Sequence, residues 1–299
     1  MWTTDNMPGQ SGKTAIVTGA NTGIGFETAL ALYKAGAHVI IACRDHSRAE
    51  EALNRIAVSG GKGSLEIGLL DLASLRSVRS FSKKFTEKHG KLDLLINNAG
   101  VMMPPSAKTE EGYELQFGVN FIGHFALTGL LYPILKQTPG ARIVTVSSLA
   151  YLRGSINFDN LKSEQSYDPV REYAQSKLAN ILLTLELQRR ISKKGDKVIS
   201  IAAQPGANNT DLARHMSEEA YRAALERFGT LMEPWQGALP SLYAATSPDA
   251  EAAALYSPDN QGISGYPAKD TIQPHRLDED VAKKLWAYAE KATGISFPG

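Results

Sequence analysis

The chain has 299 residues, 43% of them hydrophobic and 21% charged, with 32 Lys and Arg against 31 Asp and Glu. Ordinary apolar content and a net charge of +1 exclude bulk disorder and a dedicated nucleic-acid binder, while leaving room for a local basic pocket. A single cysteine, Cys43, excludes an internal disulfide and a cysteine-cluster metal site.

Lys13 to Thr18 is a short β-branched run ending in glycine, as a buried parallel strand would read. Gly25 to Ala35 follows as a helix with an apolar face, stopped by Gly36. His38 to Cys43 is a second strand, Ser47 to Val58 a helix, Leu65 to Leu70 a third strand and Leu75 to His89 an amphipathic helix. Leu92 to Ile96 is a fourth strand, Glu111 to Lys136 a long helix, and Arg142 to Val146 a fifth strand. Glu172 to Lys194 is a second long helix and Val198 to Ala203 a sixth strand. Such alternation predicts an α/β fold, a doubly wound parallel sheet of about seven strands with helices on both faces. The expected organisation is a loose tail over residues 1–10 and one domain over residues 11–299. The alternation breaks at residues 207–235, where Met216, Phe228, Met232 and Trp235 lie among many charges, as in a small helical substrate lid. Leu285, Trp286 and Tyr288 read as a packing helix. No stretch approaches the ~20 apolar residues of a membrane span. The start, Met1 to Gln10, lacks the basic and apolar run of a signal peptide, so a cytoplasmic protein is expected.

The first strand runs into Thr18-Gly19-Ala20-Asn21-Thr22-Gly23-Ile24-Gly25. Glycines there let the backbone turn sharply and approach a pyrophosphate, and the next helix offers unpaired N–H groups and its positive dipole end. The second strand ends in Cys43-Arg44-Asp45. A dinucleotide fold that takes NAD places an acidic residue there for the ribose 2′-hydroxyl, whereas Arg44 suits a 2′-phosphate, so NADP(H) is expected over NAD(H). Tyr173 and Lys177 are four apart at the start of a strong helix pattern, hence on one face. A phenol titrates near ~10, and an adjacent ammonium is expected to lower that value and make an acid/base unit of the pair. The six histidines show no ligand spacing, so no metal is expected.

The glycine turn, Asn97-Asn98-Ala99-Gly100, Ser148 and Tyr173-x-x-x-Lys177 occur in the order seen in the short-chain dehydrogenase/reductase family, which the chain resembles from about Gly12 to Gly265. Ala42-Cys43-Arg44-Asp45, Gln116-Phe117-Gly118-Val119-Asn120 and Ser176-Lys177-Leu178-Ala179-Asn180 look most like its retinol-dehydrogenase-like branch. The resemblance implies a Rossmann-like fold and hydride transfer between NADP(H) and a lipophilic or aromatic aldehyde, ketone or alcohol. By the same resemblance Tyr173 exchanges the proton, and Lys177 holds the nicotinamide ribose and lowers the tyrosine. Ser148 bonds the substrate oxygen, and Asn120 holds a water in a proton relay. The cofactor would be lined by Gly19, Asn21, Thr22, Gly23, Ile24 and Gly25 at the phosphates, with Arg44 at the 2′-phosphate. Asp71 and Leu72 would border the adenine, and Asn98, Ala99 and Gly100 the ribose. Pro205, Gly206, Asn208 and Thr210 would flank the nicotinamide. Ala207-Asn208-Asn209 departs from the branch, and Tyr151 to Arg171 is a long insertion that suits a pocket wall. The long helices around Asn120 and Tyr173 match those that pair subunits in many relatives, so a homodimer or homotetramer is possible. The competing reading is a non-catalytic NADP-binding protein of the same fold, acting as a redox sensor or partner-binding module.

Overall fold

The computed structural model describes residues 1–216, 218–273 and 277–298; Ser217 of the expected lid and His275 lie outside the described residues. Eight strands form one sheet in the order β3-β2-β1-β4-β5-β6-β7-β8: β1 Thr14–Thr18, β2 His38–Cys43, β3 Ser64–Leu69, β4 Leu94–Asn97, β5 Arg142–Val146, β6 Ile199–Ala203, β7 Leu255–Asn260 and β8 Ser264–Asp270. All neighbours are parallel except β7 and β8, an antiparallel pair beyond the strands read from the sequence. The helices are α1 Gly23–Lys34, α2 His46–Val58, α3 Leu75–Lys88, α4 Leu115–Gln137, α5 Pro169–Lys194, α6 Glu218–Phe228, α7 Pro234–Thr246 and α8 Glu279–Thr293.

Strand side chains alternate faces, and the two cores follow that alternation. Ile16, Ile40, Leu95 and Ile143 pack against α3, α4, α5 and α8; Val17, Ile41, Ile96 and Val144 pack against α1, α2 and α7. Because β1 pairs with both β2 and β4, the chain reverses its direction across the sheet there. A crevice opens at the carboxyl ends of the strands at such a switch point.

Three boundaries differ from the sequence reading for local reasons. Helix α4 starts at Leu115 rather than Glu111, because Gly112 adopts φ +81° and the Glu114 carboxylate caps the N–H groups of Gln116 and Phe117. It then widens into a π turn over Gly118–Gly123. Helix α5 starts at Pro169 rather than Glu172, since Asp168 accepts from the Arg171 N–H at 2.7 Å and proline suits the first turn. The N-terminal ten residues, read as a loose tail, are held: Trp2 meets Tyr243 edge-on at 5.3 Å and Gln10 is buried. Helix α4 is long and apolar enough to cross a membrane by length and composition, and 89% of that window is buried inside this fold. The expected packing helix at the end is α8, whose Trp286 sits edge-on to Phe125 at 4.9 Å. Together with Phe297, α8 packs against α4 and α5.

Candidate active site

A cleft of about 1370 Å³ opens at the carboxyl edge of the sheet. At its centre Gly19 adopts φ +67°, and a Cβ on it would lie 2.9 Å from the Ala99 Cα. A Cβ on Gly25 would lie 2.3 Å from the Gly19 carbonyl oxygen and 2.5 Å from Asn98 Nδ2. Both positions admit only glycine, because backbone crosses backbone there. Thr18 holds the neighbouring turn: its Oγ1 accepts the N–H groups of Asn98 and Ala99, each at 2.9 Å, while Asn98 Nδ2 donates to its carbonyl at 2.8 Å. Thr22, the N-cap of α1, makes no side-chain cap bond; its hydroxyl donates instead to Asp211 at 2.7 Å. The first-turn N–H groups of α1 thus lack a side-chain cap and face a cradle without side-chain bulk, which fits the diphosphate of a dinucleotide.

Asn21, Thr22, Gly23, Ile24, Arg44, Asp71, Leu72, Asn98, Ala99 and Gly100 all line this cleft. Arg44 is joined there by Arg48 and Arg55, which the sequence reading missed although both follow on the next helix. Asp45 also lines the cleft, and its carboxylate caps α2 by accepting from the Arg48 N–H at 3.0 Å. Ser74 caps α3, and the Asp71 carboxylate accepts from the Ala73 N–H at 2.9 Å.

Ser148, Tyr173 and Lys177 meet at the floor on the other side. Ser148 follows β5 and caps the 3-10 turn Leu149–Arg153, its hydroxyl accepting from the Ala150 N–H at 3.2 Å, and lines the cleft with Tyr173. Lys177, one turn along α5 from Tyr173, donates to the Val146 carbonyl at 3.2 Å, with its nitrogen 5.7 Å from the centre of the Tyr173 ring. Burial pushes the Tyr173 phenol up to about 12, against the smaller pull of Ser148 and of the Arg153 guanidinium. This corrects the expectation that Lys177 lowers it: in the free protein desolvation dominates and Lys177 is not among the groups that offset it. Burial also lowers the Lys177 ammonium to about 8.

Asn120 lies behind the cleft, fully buried in the π turn, and is not part of the lining. Its carboxamide is engaged: Oδ1 accepts from the Val101 N–H at 2.8 Å, and Nδ2 donates to the Val101 carbonyl at 3.0 Å and to Ser176 Oγ at 2.9 Å. A Cβ on Gly100 would stand 3.3 Å from Asn120 Oδ1 and 3.6 Å from Lys177 Nζ, which places the three together. The main-chain carbonyl of Asn120 bonds His124 Nδ1 at 3.0 Å, and His124 Nε2 lies 2.9 Å from Thr18 Oγ1. Since Nδ1 faces a carbonyl, it carries the proton, and Nε2 accepts from the Thr18 hydroxyl. That choice leaves the hydroxyl lone pairs for Asn98 and Ala99. His124, fully buried, is lowered to about 4 by desolvation. Sequence reasoning passed over it, although its place one helical turn after Asn120 was a usable signal.

Pro205, Gly206, Asn208 and Thr210 border the same cleft. Gly206 has φ +73°, and its Cβ would lie 2.4 Å from the Ile263 carbonyl. The departure at Asn208 is accommodated by folding its amide back onto the Pro205 carbonyl, at 2.7 Å. In the lid, Met216 and Phe228 line the cleft together with Tyr221 and Leu231. Met232 does not: it is buried, with Cε 2.8 Å from where a Cβ on Gly206 would sit. Trp235, also expected to line the pocket, is 48% exposed on α7.

The chain is 44% identical to retinol dehydrogenase 14 of Mus musculus, covering 95% of this chain and 86% of that one. It is 40% identical to polyprenol dehydrogenase of Homo sapiens, covering 96% and 87%. The crystal structure of an uncharacterized protein from Mycobacterium Paratuberculosis superposes with a TM-score of 0.83 at 37% identity, over 100% of this chain and 99% of that one. A family model described as short chain dehydrogenase matches residues 13–220. With this site at the carboxyl edge of this sheet, the chain belongs to the short-chain dehydrogenase family of oxidoreductases.

Proposed function

We propose that the protein is an NADP(H)-dependent oxidoreductase that interconverts a lipophilic alcohol and its carbonyl compound. The observation that carries this reading is the convergence of Ser148, Tyr173 and a buried Lys177 in the same cleft as the glycine cradle. The α1 N-terminus with Gly19, Gly23 and Gly25 would hold the diphosphate, and Lys177 the nicotinamide ribose. A 2′-phosphate would meet Arg44, with the Asp45 carboxylate occupied in capping α2. Bound there, the nicotinamide supplies or accepts the hydride.

The chain's own residues handle the oxygen and its proton. Ser148 donates a hydrogen bond toward the substrate oxygen and offsets charge that develops on it. Tyr173 keeps its proton at neutral pH, held up by burial to about 12, and so stands as the acid for carbonyl reduction. In the direction of alcohol oxidation it takes that proton back. Lys177, charged below about pH 8, adds a positive charge to the cleft floor where it would hold the nicotinamide ribose. Met102, Met103, Leu149, Val170, Met216 and Phe228 give the rest of the cleft an apolar wall. That wall, together with relatives named for retinol and polyprenol, supports a long apolar substrate.

A screen of isoprenoid and aliphatic aldehydes and alcohols, following NADPH and NADH absorbance in parallel, tests the proposal. Turnover with NADPH that Tyr173→Phe reduces by about 10²–10⁴-fold while cofactor binding persists is the expected result. Tight NADPH binding with no turnover on any member of the panel would favour the non-catalytic reading instead.

A further inference from the structure

At the opposite, amino edge of the sheet, three side chains converge that the proposed reaction does not use. His38 opens β2, Glu66 lies on β3, and His89 follows the end of α3. In the parallel register His38 pairs with Ser64, so Glu66 stands two residues on, on the same face. The three are far apart in sequence, which is why the histidine spacing showed nothing.

The arrangement has the features of a ligand set. His38 Nε2 lies 3.4 Å and His89 Nε2 3.3 Å from the same oxygen, Oε2 of Glu66. The three atoms all lie within 4.8 Å of one another. A tetrahedral zinc with bonds of about 2.0–2.1 Å spaces its ligands roughly 3.3 Å apart, which both nitrogen–oxygen separations match. Both Nε2 atoms are shut off from solvent and lack a hydrogen-bond partner among the described residues. His38 Nδ1 meets the Ser64 hydroxyl at 2.7 Å; donating its proton there leaves the Nε2 lone pair turned inward, as in a metal-ligating imidazole. His89 is held by its backbone N–H to Phe85, at 2.8 Å, and by stacking on that ring at 4.6 Å. Lys88 also reaches Glu66 Oε2, at 2.9 Å. Its side chain is 63% exposed on a flexible stem, so a cation displaces it at small cost.

We propose that His38, Glu66 and His89 form a three-ligand site for a zinc-class divalent cation, with water in the fourth position. Two imidazoles and one carboxylate suit zinc over the oxygen-seeking magnesium and calcium. Strand β2 separates the site from the cleft by its length of roughly 17 Å, so the cation ties β2 and β3 to α3 and takes no part in turnover.

The test titrates the full chain with Zn²⁺ alone against a chromophoric chelator and follows thermal unfolding with and without Zn²⁺. One equivalent should bind at micromolar or tighter concentration and raise the melting temperature. His38→Gln combined with His89→Gln, or Glu66→Gln alone, should weaken binding by about 100-fold and abolish the rise, while His46→Gln changes neither. Lys88→Ala, a surface change that keeps the fold, should tighten binding by removing the competitor. Absence of stoichiometric binding overturns the proposal, as does undiminished binding in Glu66→Gln or weaker binding in Lys88→Ala. Alcohol oxidation by the zinc-loaded and chelated protein should be equal.

Discussion

The floor and the roof of the cleft are built on different terms. In the floor, Gly19 and Gly25 touch backbone directly, Thr18 is saturated by Asn98, Ala99 and His124, and Ser148, Tyr173 and Lys177 share one lining. The roof over residues 207–235 offers Met216, Tyr221, Phe228 and Leu231 on short helical pieces, tied to the floor by the Thr22–Asp211 bond. A floor of interlocked backbone fixes where the chemistry happens. A roof of side chains on short elements can change its contacts without disturbing that geometry, so it suits selection of the substrate.

The contrast predicts a graded set of effects. Tyr173→Phe should cost about 10²–10⁴-fold in turnover, with NADPH binding retained, as read by steady-state kinetics and fluorescence titration. Gly25→Val should remove measurable cofactor binding in a titration, because any Cβ there meets a carbonyl oxygen 2.3 Å away. His124→Phe should destabilise the fold by about 3 kcal/mol in urea unfolding, since the Thr18 hydroxyl and the Asn120 carbonyl lose a buried partner.

A pH series sharpens that result. The folded His124 value of about 4 lies below the ordinary 6.5. The unfolded chain therefore binds the extra proton between those values, and stability falls as pH drops from 6.5 towards 4, by roughly 3 kcal/mol from this group. His124→Phe should flatten that part of the profile. Arg44→Ala should weaken NADPH by roughly 10- to 100-fold and leave NADH nearly unchanged, measured as KM for each. Phe228→Ala in the roof should raise substrate KM only about three- to tenfold with kcat kept. A loss of kcat from Phe228→Ala equal to that from Tyr173→Phe would erase the distinction between floor and roof.

Much of the floor was legible because its determinants are local. A β-branched run followed by Thr18 to Gly25 can only be a strand entering a tight turn and a helix, and Tyr173 and Lys177 share a face by helical period alone. The roof was less legible. Met216, Phe228, Met232 and Trp235 look alike as apolar residues among charges, yet two line the cleft, one is buried under Gly206 and one faces solvent. Which way each points depends on neighbours from Ile263 and Gly206, distant in sequence.

By itself the amino-acid sequence determined the alternation of strands and helices, the parallel sheet, the glycine cradle and the pairing of Tyr173 with Lys177, all of which follow from periodicities of two and 3.6 and from the special backbone freedom of glycine. Only the tertiary structure decided the protonation of that pair, since burial, which outweighs any single neighbouring charge, is a property of the whole packed chain. It alone decided that His124 closes a bond network between α4 and β1, and that His38, Glu66 and His89 meet, because strand register and helix docking bring together residues that no local pattern connects.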